Sequence, residues 1–73
     1  MTLTEAEKTQ IAAMQTEDVI ELEDYTRSNY QYKVERLTTK EYRVSKFAVM
    51  CLNTEFFSSP ADVVDYIERQ HVY

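Results

Sequence analysis

A chain of 73 residues with no glycine, and with a single proline, must make every tight turn from residues that carry a Cβ. Left-handed backbone positions are therefore expected at Asn29, Asn53 or an aspartate, whose short polar side chains bear that conformation at the least cost. The same absence excludes whole classes of site. A phosphate-cradling loop, a dinucleotide fingerprint and a nucleophile elbow each need backbone to approach or turn where a side chain would clash. None of these can be built here.

The length fits one domain, residues 1–73, and no more. A chain of this size buries only about 60% of the surface its unfolded form exposes, so a single core supplies roughly 3–5 kcal/mol. An apolar fraction of 44% and an aromatic fraction of 12% are enough to drive folding. One cysteine, Cys51, rules out an internal disulfide and a stapled secreted mini-protein. Met1-Thr2-Leu3-Thr4-Glu5 has neither the basic nor the apolar region of a signal peptide. The apolar run Phe47–Leu52 falls far short of the ~20 residues that span a bilayer. The expectation is a soluble, cytoplasmic protein without a membrane partner.

The net charge of −5 is unevenly laid out. Residues 1–24 hold seven acids and one base, residues 25–54 two acids and six bases, and residues 55–73 four acids and one base. An acidic arm and an acidic end thus flank a basic middle. The densest acidic stretch, Glu17-Asp18-Val19-Ile20-Glu21-Leu22-Glu23-Asp24, places five carboxylates in eight positions. Such a run is commonly a solvated face. It can also present carboxylates to a basic partner, where that partner would otherwise hold phosphates.

Local patterning indicates an α+β fold. Thr4-Glu5-Ala6-Glu7 has the form of a capping box and opens a helix over about 4–15, with a thin apolar stripe at Ile11 and Met14. Ile20 and Leu22 alternate with acids, which predicts a strand over Val19–Tyr25. A helical alternative with Ile11, Met14, Val19, Leu22 and Tyr25 on one face stays open. Tyr30, Tyr32 and Val34 alternate with polar residues, Thr38–Glu41 forms a turn, and Tyr42 and Val44 resume the alternation. The run on to Leu52 reads as buried on both faces of the same strand, although Val44, Phe47, Ala48, Cys51 and Leu52 also match helical spacing. Ser59 as N-cap, Pro60 at N1 and Asp62 at N3 begin a second helix, which packs Val63, Val64 and Ile67 and ends near Gln70 before the tail His71–Tyr73. The expected architecture is α-β-β-β-α: a small three-stranded antiparallel sheet with an N-terminal and a C-terminal helix.

The residues that could carry chemistry do not assemble into a site. Cys51, between Met50 and Leu52, reads as a buried and inert thiol. His71 lies at the chain end, where a rigid general base is seldom held. One cysteine and one histidine make no structural zinc site, and the acids at 17–24 lack calcium-loop spacing, so no metal or cofactor is expected. Tyr30, Tyr32 and Tyr42 interleave with Lys33, Arg43 and Lys46, which suggests base stacking, but alternation puts these tyrosines on the face opposite Lys33 and Arg43. The negative net charge also opposes binding a polyanion.

The chain therefore reads as a non-enzymatic protein-binding module that presents Glu17, Asp18, Glu21, Glu23, Asp24 and Tyr25 to a basic partner protein. In size, acidity and style it is similar to phage and mobile-element inhibitors of host enzymes, some of which imitate DNA, although no motif ties it to a family. The second reading is a self-associating structural protein, a homodimer among its forms, in which the acidic ends meet the basic hairpin. A nucleic-acid binder using that hairpin ranks third.

Overall fold

The computed structural model describes residues 2–23 and 30–69. Helix α1 (Glu5–Ala12) leads into four strands, β1 (Val19–Glu23), β2 (Gln31–Thr38), β3 (Glu41–Ala48) and β4 (Met50–Phe57), and helix α2 (Pro60–Glu68) follows. The strands form one antiparallel sheet in the order β1-β2-β3-β4. The α+β class and the strand character of 19–23 and 42–48 agree with the sequence reading, and a fourth strand is added to it.

Local chemistry starts both helices as their sequences indicate. Thr4 caps α1: its hydroxyl accepts from the Glu7 N–H at 3.1 Å, and the Glu7 carboxylate accepts from the Thr4 N–H at 2.9 Å. Ser59 caps α2 by accepting from the Asp62 N–H at 3.2 Å, with Pro60 in the first turn where no N–H is needed. The helices end earlier than their patterns suggest, α1 at Ala12 and α2 at Glu68. Glu68 ties the two ends together, accepting from the Leu3 N–H at 3.2 Å and lying 3.8 Å from Lys8 Nζ.

Alternation then sorts the strand residues. Ile20, Leu22, Tyr32, Val34, Tyr42 and Val44 fall on one face by register, and there they meet Leu3, Ile11, Met14, Val63 and Ile67. The tyrosines at 32 and 42 are 1% and 2% exposed, so they are core residues, as alternation requires. Burying aromatic rings of this size contributes much of the core's stability. Arg36 locks the rim of this layer. Its guanidinium donates to the carbonyls of Met14, Thr38 (3.3 Å) and Thr39 (2.9 Å) and lies 5.3 Å from the centre of the Tyr42 ring. Its backbone takes up the turn before β1: Arg36 N–H donates to Asp18 O at 3.0 Å, and Glu17 N–H donates to Arg36 O at 2.7 Å.

The sequence reading fails at residues 49–52. What reads as one strand through Leu52 is two strands reversed at Val49, with Ala48 opposite Met50. Val49 takes a φ of 70° and is fully exposed. The other left-handed residue is Glu17, at φ 75°, in the turn closed by Asp18 N–H to Gln15 O. Neither is the asparagine or aspartate that turn chemistry favours; Asn53 lies within β4. Because the chain turns back at Val49, nothing among the described residues covers residues 49–52, and Cys51, expected in the core, is exposed.

Candidate protein-binding surface

Both helices lie against the Tyr32/Val34/Val44 face, and among the described residues no element covers the opposite face of the sheet. Register writes that open face as three rows running from β1 to β4: Val19–Glu35–Arg43–Phe56, Glu21–Lys33–Ser45–Thr54 and Glu23–Gln31–Phe47–Cys51. Read across the rows, the surface is acidic at the β1 edge, carries basic groups in the middle and is neutral to apolar along β4. A shallow recess of about 280 Å³ lies on it, bordered by Glu21, Glu23, Gln31, Lys33 and Phe47 and reaching Tyr32.

The structure divides the acidic stretch. Glu21 and Glu23 are exposed side by side on the open face, two residues apart and therefore about 7 Å from one another along the strand. Glu17 is exposed in the turn that precedes β1. Asp18 serves the fold, since its carboxylate accepts from the Gln15 N–H at 2.8 Å and its carbonyl accepts from Arg36. Asp24 and Tyr25 lie outside the described residues, as do Asn29 and the tail His71–Tyr73. Of the candidate partner-binding residues, Glu21 and Glu23 thus share a surface, Glu17 flanks it and Asp18 is engaged in a turn.

The basic middle is partly consumed by the fold. Arg43 pairs with Glu35 through Nε (3.2 Å) and Nη2 (2.8 Å), and this hydrogen bonding, reinforced by the glutamate charge, raises the guanidinium pKa further above its usual value. Arg36 holds carbonyls, and Lys46 Nζ lies 4.7 Å from the centre of the Tyr30 ring. Among the described residues, Lys33, opposite Glu21, and Lys40, at the β2–β3 turn, face the solvent side. Stacking and phosphate contacts would have to come from opposite faces of the sheet, because Tyr32 and Tyr42 are buried on the helix side.

The exposure of β4 leaves no mark in the local sequence pattern. Met50 (67%), Leu52 (49%) and Phe56 (57%) are solvent-facing on a strand of eight residues that carries one charge, Glu55. Between them, Asn53 Nδ2 donates to Glu55 Oε1 at 3.2 Å and to the Tyr66 hydroxyl of α2 at 3.3 Å. Among the described residues no group of histidine, cysteine and carboxylate side chains is arranged to hold a metal ion, and no helix is long and apolar enough to cross a membrane. Compared with protein-family models, curated proteins and solved structures, the chain matches none.

Proposed function

We propose that this chain is a small cytoplasmic protein-binding module, without catalytic activity, that inhibits or regulates a partner by presenting carboxylates to its basic surface. The observation that carries the reading is the pair Glu21 and Glu23, exposed together on the β1 edge of a sheet face that neither α1 nor α2 covers. A preformed strand holds the two carboxylates in fixed register, so their approach to a basic patch carries little ordering cost. Glu17 extends the acidic edge, and Asp24 and Tyr25 continue the segment beyond the described residues. DNA mimicry is the narrower form of this reading and requires the row to run on through Asp24.

The test compares the wild-type chain with Glu21→Lys/Glu23→Lys and with Glu5→Lys/Glu41→Lys, which changes the net charge equally at other sites. A partner captured from nuclease-treated lysate is purified and its affinity for all three proteins is measured across a salt series. The expected result is a loss of at least about tenfold, with a shallower salt dependence, for the β1 variant alone. Equal affinity for the wild type and the β1 variant removes the acidic edge as the binding site.

A further inference from the structure

We infer that two copies of this chain pair edge to edge through β4, antiparallel about a two-fold axis at Thr54, to form a continuous eight-stranded sheet. The starting point is the position of β4: at the end of the order β1-β2-β3-β4, it turns one row of backbone N–H and C=O groups away from β3. Long, apolar sheet edges of this kind template the addition of another strand, and proteins that stay apart blunt them with charge, proline or brevity. β4 has eight residues, no proline and only Glu55 for charge, with Met50, Leu52 and Phe56 exposed along it.

Register identifies the occupant as a second copy. In an antiparallel ladder opposed residues share a face, so a two-fold axis between identical strands must fall on a residue. Centring on Glu55 sets two carboxylates directly against each other, which is unfavourable. Centring on Asn53 leaves only Leu52–Thr54 in regular pairing before the register shift at Cys51–Leu52 and leaves Phe57 unopposed. Centring on Thr54 keeps the longer stretch Leu52–Phe56 in mutual register. Asn53 faces Glu55 of the second copy twice over on the helix side, a neutral side chain opposite each carboxylate. Leu52 faces Phe56 twice over on the open side, an aliphatic–aromatic pair of the sort that stabilises cross-strand contacts. The axis stands perpendicular to the sheet, so all four helices lie on one side and the acidic β1 strands form the two outer edges, far from the junction. This interface is apolar and backbone-mediated, and it is separate from the carboxylates of the proposed partner site.

The decisive experiment combines mass with cross-linking. Sedimentation equilibrium of the wild-type chain at about 0.5 M salt, where exposed ion pairs are largely screened, is expected to show a species of twice the 8.7 kDa chain mass. Leu52→Lys, at an exposed position, is expected to raise the dimer dissociation constant at least about tenfold. In a Cys51→Ser background, Thr54→Cys places two thiols across the axis, within the Cα separation a disulfide accepts. It is expected to oxidise to a covalent dimer much faster than Val19→Cys on β1 or Thr9→Cys on α1. A wild-type chain that stays monomeric to about 1 mM overturns the inference, as do cross-linking no faster at Thr54 than at the two control positions and a dimer indifferent to Leu52→Lys.

Discussion

The two edges of the sheet are built on opposite principles. β1 is five residues long, alternates core and acid as Val-Ile-Glu-Leu-Glu, and is anchored at its start through the Arg36 backbone. β4 is eight residues long, carries one charge and is held on the sheet by β3 and the Phe57–Tyr66 ring contact, with centroids 5.1 Å apart. The first edge repels another strand and invites a cation. The second offers hydrogen bonds and apolar side chains to whatever strand arrives. Although the whole chain is acidic, charge is spent defending one edge only, so net charge is a poor guide to how this molecule meets others.

Arg36 secures the β1 side, and its loss is expected to weigh most on the fold. Arg36→Ala removes a charged donor to three carbonyls and the stacking on Tyr42. The expected loss is about 2–3 kcal/mol in chemical denaturation, with amides of β1 exchanging faster and those of the β3–β4 ladder less affected. Uniform acceleration across all four strands would mean that the edges are not independently secured.

A smaller effect of opposite sign is expected on the β4 side. Val49 holds a left-handed φ that a β-branched residue resists, and its side chain contributes no burial. Val49→Gly is expected to raise stability by about 1 kcal/mol, read as a higher denaturation midpoint with an unchanged slope. A loss on this substitution would show that the valine side chain stabilises the hairpin in a way its exposure conceals.

The smallest effect concerns pairing on the open face. Glu21→Lys sets two lysines directly opposite, because Lys33 is its cross-strand partner, and is expected to cost about 0.5 kcal/mol. Adding Lys33→Glu should restore most of that loss, and a double-mutant cycle with no coupling would show that Glu21 and Lys33 do not stabilise each other across the strands.

What the sequence discloses follows the range of the interactions involved. The helix starts are legible because the cap, the proline and the first-turn acid are neighbours in sequence: Thr4 with Glu7, and Ser59 with Pro60 and Asp62. The exposure of Glu21 and Glu23 is legible from their alternation with Ile20 and Leu22. β4 is not, because Val49-Met50-Cys51-Leu52 has the composition of a buried strand and lacks any turn residue, so the reversal at Val49 leaves no local mark. For the same reason Cys51 reads as a core thiol when it is in fact exposed. The structural duties of Asp18 and Arg36 are also hidden: Arg36 reaches back 22 residues to Met14, and periodicity carries no information about such contacts. A basic middle read from composition alone overstates the positive surface for this reason.

The row Val19–Glu35–Arg43–Phe56 places the beginning of β1 and the end of β4 at the same end of the sheet, on opposite margins. Tension applied through the chain's two ends would first part α1 from α2 at the Leu3–Glu68 bond and then act across the strands rather than along them. Hydrogen bonds loaded in that direction fail one rung at a time instead of sharing the force. A lattice or tether that bears load would want the opposite geometry, whereas a module that only has to hold a surface in register gives up nothing by being mechanically soft.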